Sequence, residues 1–336
     1  MIVINYSWYG STTATDATVI PAAHLNGTGS QIFYSYVKSA ANYTPTATII
    51  FKGTIFDDHP APRVASFSAR GPSQENGGIL KPDIFAPGEG ILGASPFIVG
   101  PSGSASSNTS FNFMSGTSMA TPHIAGIAAL LKSKHPRWSP AAIKSAIMTT
   151  AQRVYNDQTP IIDESSGEKA NYFAMGAGHV NPADATDPGL IYDLHPSDYV
   201  PYLCSLGYTD DEVTRFTKIR TYCAKVRFEA DAAEQLNYPS IAVSLKAKSM
   251  TTINRTVTNV GDASSVYTFD IEEPNGVGMK ISPDKLEFTS IGEQLSFNVT
   301  FIMKGSIPTK NEASEGKLSL NSGKYYVTSP IVVTFI

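Results

Sequence analysis

The chain has 336 residues, 42% of them hydrophobic and 16% charged, enough to bury large cores in two or more domains. Its formal net charge of −4 argues against nucleic acid or an anionic membrane as a partner. It contains no apolar run of about 18 residues that would span a bilayer, and Met1-Ile2-Val3-Ile4-Asn5 lacks the basic start and long apolar stretch of a signal peptide.

Residues 1 to 50 alternate short β-type runs, Ile2-Val3-Ile4 and Ala47-Thr48-Ile49-Ile50, with polar turns, and hold one helical candidate from Gly29 to Ala40. In residues 51 to 195, Phe85-Ala86-Pro87-Gly88 predicts a turn and Ile91-Leu92-Gly93-Ala94 a short buried strand. The Ser/Gly-rich segment Gly100 to Ser110 predicts a mobile loop. From His123 to Leu131 the chain is apolar on nearly every face of a helix, the pattern of an interior helix. Ser139-Pro140 then starts a second helix as N-cap and first residue, with Ile143, Ala146 and Ile147 inward and Lys144 outward. Helices alternating with buried strands fit an α/β layer architecture. Residues 196 to 232 read as a connector with a helical piece from Asp198 to Leu206. From 233 to 336, seven Thr/Val/Phe/Tyr-rich runs recur between turns: Met250 to Asn259, Ser265 to Glu272, Gly278 to Ile281, Lys285 to Thr289, Gln294 to Phe301, Gly316 to Leu320 and Tyr325 to Ile336. That spacing predicts an antiparallel sandwich.

The segment Gly116-Thr117-Ser118-Met119-Ala120-Thr121-Pro122-His123 sets a serine where a glycine turn enters a helix. A serine attacks a carbonyl only if a base takes its proton and fixed donors hold the developing oxyanion. Gly116 frees the backbone for the turn, and the helix start aims unpaired N–H groups at Ser118, whose own N–H is a candidate oxyanion donor. Pro122 removes the helical hydrogen bond to the Ser118 carbonyl and loosens the helix there. Read singly, Thr117 or Ser118 serves equally well as an ordinary N-cap.

The whole octapeptide resembles the active-site serine segment of the subtilisin family. Further segments are similar to signatures of plant subtilases of the cucumisin type, in that family's order. They are Ser66-Phe67-Ser68-Ala69-Arg70-Gly71-Pro72-Ser73, Leu80-Lys81-Pro82-Asp83-Ile84 with Ala86-Pro87-Gly88, and Gly176-Ala177-Gly178-His179-Val180-Asn181-Pro182. Pro188-Gly189-Leu190-Ile191-Tyr192-Asp193, Leu236-Asn237-Tyr238-Pro239-Ser240 and Arg255-Thr256-Val257-Thr258-Asn259-Val260-Gly261 follow. The resemblance implies a serine endopeptidase acting on polypeptide substrates with Ser118 as nucleophile, and an extracellular location. It also implies the tail of a protease-associated domain over 1–50, the C-terminal part of a subtilisin-like α/β peptidase domain over 51–195, and a fibronectin-III-like domain over 233–336. In that family a catalytic Asp, a His in a His-Gly-Thr-His segment and an oxyanion Asn precede the serine. None of His24, His59, His123, His135, His179 and His195 lies in such a segment. The expectation is a serine-bearing C-terminal portion that alone has little or no proteolytic activity. A noncatalytic binding product is the alternative.

His123 is expected to pack or cap, and His179 to sit in a structural turn. An α/β-hydrolase triad of Ser118, Asp163 and His179 or His195 is a further alternative, but that fold expects Gly-x-Ser-x-Gly and the last position here is Ala120. Gly88-Glu89-Gly90-Ile91-Leu92-Gly93 matches the letters of a dinucleotide loop, yet Pro82, Pro87 and Ser95-Pro96 replace the strand and helix it needs. Asp57-Asp58-His59 before Pro60 reads as a solvated turn. No spaced Cys/His set or acidic loop suggests a metal, and no cofactor is expected. Cys204 and Cys223 would close a loop worth ~3 kcal/mol if bridged; sequence leaves free thiols equally open, and the resemblance favours a bridge. Asn-x-Ser/Thr sequons at Asn5, Asn26, Asn42, Asn108, Asn254 and Asn298 are compatible with a glycosylated extracellular protein.

Overall fold

A computed structural model describes residues 1–13, 18, 20–40, 43–53, 61–73, 75–95, 111–155, 157–226, 232–305 and 313–336. The Asp57-Asp58-His59 turn, the Gly100 to Ser110 loop and the sequon residues Asn42 and Asn108 lie outside the described residues. Two bodies result, neither continuous in sequence: Met1–Ala69 with Phe85–Ala125 and Arg153–Ala174, and Arg70–Ile84 with Gly126–Gln152 and Met175–Ile336.

In the first body β1 (Ile2–Ile4) pairs in parallel with β2 (Ala23–Leu25). Helix α1 (Gly27–Ser39) follows, capped by the Asn26 side chain, which accepts from the Gly29 N–H. β3 (Ile91–Ala94) and β4 (Phe111–Met114) form an antiparallel pair leading to α2 (Thr117–Lys134), which is shared between the bodies. Gly10, at φ +53, lies so close to the Glu164 carbonyl that a Cβ would stand 1.8 Å from its oxygen. Ala47 to Ile50 forms no strand, and Ile50 and Phe51 are exposed; a β-type run becomes a strand only with a neighbour to bond. β3 is a strand but not a buried one. Leu92 is 58% exposed, because a two-stranded pair covers neither face by itself. Helix α2 also departs from expectation. Leu131 is its one buried residue among those described and Leu130 is 68% exposed, although the sequence is apolar around the whole circumference.

The second body holds α3 (Pro140–Thr149), capped by Ser139 with Pro140 at its first position. Ile143, Ala146 and Ile147 are buried and Lys144 is exposed, as the spacing predicts. Next come α4 (Tyr172–Met175), shared between the bodies, α5 (Pro182–Ala185), β5 (Leu190–Ile191), α6 (Tyr199–Ser205), α7 (Asp210–Thr217) and α8 (Ala232–Gln235). A disulfide joins Cys204 to Cys223 beside Val200 and Val213.

The strands β6 (Ile241–Leu245), β7 (Met250–Asn259), β8 (Ser265–Glu272), β9 (Val277–Ser282), β10 (Lys285–Phe288), β11 (Gln294–Met303), β12 (Ala313–Asn321) and β13 (Tyr326–Phe335) complete the chain. They form sheets ordered β10-β8-β12-β13-β6 and β5-β7-β11-β9. Every pairing is antiparallel except β13 with β6. Alternate residues of both sheets, including Ile253, Val257, Phe297 and Phe301 from one and Tyr267, Leu318, Ile331 and Val333 from the other, share one core. Two sheets around one core make a sandwich. β5 and β6 add to the seven strands expected.

Asp83 binds separate stretches of this body together. Its Oδ1 accepts from Tyr238 Oη at 2.6 Å and Lys81 Nζ at 2.7 Å, Lys144 Nζ lies 3.5 Å from Oδ2, and its backbone carbonyl accepts from the Ala177 N–H at 3.0 Å. Burial pushes the Asp83 carboxyl up, but Lys144, Lys81 and the two hydrogen bonds outweigh it and hold it below the ordinary value.

Gly189, at φ +79, accepts from the N–H groups of Val260 and Gly261, and a Cβ there would lie 2.5 Å from Tyr325 Cγ and 2.7 Å from Tyr267 Oη. Gly189→Ala should therefore lower stability by about 2–4 kcal/mol, from strained backbone and overpacking together, read as a shifted urea midpoint. Asp83 supplies a second expectation. A depressed carboxyl stabilises the fold above its unfolded pKa, and that stability is lost as pH falls through the lower folded pKa. Urea midpoints followed downward from pH 5 should fall less steeply for Asp83→Asn than for the unaltered chain.

Candidate active site

Gly116 adopts φ +152, a conformation L side chains rarely take, and its N–H donates to the Gly88 carbonyl at 2.7 Å. A Cβ on Gly88 would stand 3.0 Å from the Gly116 carbonyl oxygen and 3.3 Å from Ala120 Cβ. The Ser115 hydroxyl accepts from the Gly90 N–H at 2.9 Å. The Ala86-Pro87-Gly88 turn is thus a platform on which the serine loop rests.

α2 begins at Thr117, so the Thr117 and Ser118 N–H groups lie in the first turn, where helical geometry supplies no acceptor. Ser118 is exposed, and its hydroxyl has no hydrogen-bond partner among the described residues. Thr121 Oγ1 donates to the Thr117 carbonyl at 2.9 Å, while the His123 ring donates from Nδ1 to the Met119 carbonyl at 2.8 Å. Pro122, within the helix, has no N–H to give the Ser118 carbonyl. A hydroxyl therefore stands at the positive end of a helix, beside an unfilled N–H and on a glycine-built loop. That arrangement suits attack on a carbonyl once a base is supplied.

His123, His135 and His195 have ring hydrogen bonds elsewhere. His123 bonds back to the preceding turn of its own helix and does not cap it. His135 donates from Nε2 to the Thr186 carbonyl at 2.9 Å and stacks on Trp138. His195 caps the short 3-10 turn Pro196–Asp198, its Nδ1 bonded to the Ser197 hydroxyl. The backbone of His179 pairs with Gln152, and burial pushes its imidazole below the ordinary value. Asp163 Oδ1 accepts from the Ser165 N–H. His59 lies outside the described residues.

Sequence reading gave no role to Glu89, next to the platform glycine. Burial, then the charge of Glu164, push its carboxyl up against a hydrogen bond from the Thr13 backbone. Glu164 in turn accepts from Thr12 Oγ1. No local spacing signals this pairing, because residues 12, 89 and 164 meet only through the fold. Among the described residues no group of three or more His, Cys, Asp or Glu is arranged to hold a metal.

The Subtilase family model matches residues 7–178, a span that contains Ser118 and its glycine platform. The chain belongs to the subtilase family. A Fibronectin type-III domain model matches residues 235–333, the sandwich. Subtilisin-like protease SBT1.5 of Arabidopsis thaliana is 45% identical over 347 residues, covering 99% of this chain and 44% of its own length. Subtilisin-like proteases SBT1.7 and SBT1.2 of the same plant are 41% and 42% identical, covering 100% and 99% of this chain and again 44% of their own lengths. The subtilase chain described here thus spans less than half the length of these relatives. Among its described residues, no helix is long and apolar enough to cross a membrane.

Gly88→Ala should push the Gly116 carbonyl away and weaken the Gly116 N–H bond. Hydrogen exchange at that amide should rise about tenfold, equivalent to about 1.4 kcal/mol of local opening. Unchanged protection would show that the platform gives way freely.

Proposed function

We propose that this chain is the serine-bearing C-terminal portion of a subtilisin-like serine endopeptidase, with Ser118 as the nucleophile. The observation that carries the reading is the exposed Ser118 hydroxyl in the first turn of α2, above the Gly88–Gly116 contact, within a span matched by the family model. In the complete enzyme Ser118 Oγ attacks a peptide carbonyl while a histidine from other polypeptide takes its proton and returns it to the leaving amine. The Ser118 N–H helps hold the oxyanion, and water hydrolyses the acyl-enzyme.

On this reading residues 1–50 are the tail of a protease-associated domain, 51–195 belong to an α/β-layered peptidase domain, 196–232 connect, and 233–336 are the fibronectin-III-like module. The uncovered apolar surface of α2 supports a peptidase domain completed by polypeptide beyond these residues. Disulfide Cys204–Cys223 and the sequons support an extracellular glycoprotein with polypeptide substrates.

A noncatalytic role is the second reading, and it holds where no histidine is brought to Ser118. A fluorophosphonate probe separates the two. The 336-residue chain alone should not label, since loss of the triad partners costs about 10⁶-fold in rate. Joined to the upstream half of subtilisin-like protease SBT1.5, and once shown folded, it should label stoichiometrically, and its Ser118→Ala form should not. Labelling of the isolated chain would refute dependence on missing partners. A folded joined chain that stays unlabelled would favour the noncatalytic reading.

A further inference from the structure

β7 and β11 pair in a register that sets Asn254 directly opposite Asn298. Ile253, Arg255 and Val257 on one strand, and Phe297, Val299 and Phe301 on the other, are buried. Strand alternation therefore turns Thr252, Asn254, Thr256, Ser296, Asn298 and Thr300 to the outer face. Cross-strand rungs join them: Thr252 to Thr300 hydroxyl at 2.9 Å, Asn254 Nδ2 to Asn298 Oδ1 at 3.1 Å, and Thr256 to Ser296 hydroxyl at 2.8 Å. Asn254-Arg255-Thr256 and Asn298-Val299-Thr300 are both Asn-x-Thr acceptors. Separated by 44 positions in sequence, the two acceptor amides touch in the fold.

We propose that the Asn254–Asn298 rung is one N-glycosylation site with two alternative acceptors, so that each folded molecule carries a single glycan there, on one asparagine or the other. The proposal rests on the extracellular reading above. In the transfer, the side-chain amide nitrogen attacks the anomeric carbon of an oligosaccharide carried on a polyprenyl diphosphate. The bond from that carbon to the diphosphate oxygen breaks, the polyprenyl diphosphate leaves with its electron pair, and the nitrogen gives up one proton. The amide keeps its other hydrogen, so a modified Asn254 can still donate to Asn298 Oδ1 and the rung survives one glycan.

A second glycan does not fit. Opposed Cβ atoms on paired strands are about 5 Å apart, less than the width of a pyranose with its acetamido group, and the rungs above and below close off the space along the strands. Timing is fixed by the same geometry. Each sequon's threonine hydroxyl is bonded across the sheet, Thr256 to Ser296 and Thr300 to Thr252, and both backbones are paired. Transfer therefore precedes the pairing of β7 with β11, and pairing then admits no chain with two glycans on the rung.

The test uses the full chain with a signal peptide and a reference sequon in a C-terminal tail, secreted from plant cells; only molecules carrying the reference glycan are scored. The unaltered chain, Asn254→Gln and Asn298→Gln should all carry the same number of glycans, and the double variant one fewer, by intact mass before and after enzymatic glycan removal. After removal in heavy-oxygen water, peptide mapping should find the mark on Asn254 and on Asn298 as separate peptides, and the intact mass should show one such mark per molecule beyond those of the other sequons. Thr256→Ala and Thr300→Ala abolish the same acceptors without touching the amides, and should repeat the pattern if a Gln variant folds poorly. The proposal is overturned if either single variant loses one glycan, or if the double variant loses none. Loss in both singles means two independent sites, loss in one means a lone acceptor, and no loss in the double means an unused rung. An empty reference sequon would instead count against secretion.

Discussion

A carboxylate cannot stay charged in a protein interior without partners, and Asp83 finds them in three places. Lys81 comes from its own loop, Lys144 from α3 and Tyr238 from the loop between α8 and β6. The Tyr238 hydroxyl donates a hydrogen bond to Asp83, and its oxygen accepts from Lys81 and Lys144 at 3.0 and 3.1 Å. Each of the four groups satisfies the others, and burial, then Asp83, push the phenol's ionisation far up. Such a network adds little net stability against an apolar replacement, but removing one member strands the rest. Its effect is to fix position. Gly176, whose Cβ would meet the Pro82 carbonyl at 2.5 Å, and Ala177, bonded to the Asp83 backbone, are held by the same residue. Met148, Ala177, Leu236 and Tyr238 pack alongside. The sandwich thereby becomes the anchor for α3 and for the glycine turn before His179.

The first body is covered less completely. Among its described residues, Leu92, Phe111 and Phe113 remain exposed, and a two-stranded sheet cannot bury what β3 and β4 present. Contiguous apolar surface of this kind marks an interface. Under the proposed function, the polypeptide that brings the base to Ser118 also has the exposed β3–β4 face of this body to cover. Activity and burial then arrive together, when the polypeptide bearing the base docks.

How much of this was legible in the sequence depended on how local the cause is. β7 and β8 fall where the period of two put them, and α3 starts at Ser139-Pro140, because alternation and capping are written within a few residues. α7 was missed although Thr209 and Glu212 form a capping box; two aspartates and no long apolar run hid it. β6 was missed although its buried residues alternate, since it is short and its pairing with β13 is parallel and remote. Ala47 to Ile50 was misread as a strand for the converse reason: propensity was present and a partner was not. At the site, Ser118 could be found from its glycine and helix start. The Asp83 network and the Glu89–Glu164 pair could not, because their members lie far apart in the chain.

The signature segments that single out the family also meet one another in the structure. Ala86-Pro87-Gly88 supports Gly116, and Lys81-Pro82-Asp83 supports both Gly176-Ala177 and Tyr238. Gly189 receives the N–H groups of Val260 and Gly261. Asn237 bonds both edges of the Thr256 backbone and the Asp193 carbonyl. These contacts are close approaches and backbone bonds, which only a few residue types can make, so the segments read as a joinery code. Under the proposed function, chemistry enters at the segment that holds Ser118. Likeness across the others therefore speaks for the fold that presents Ser118, whereas catalysis turns on what is brought to that serine.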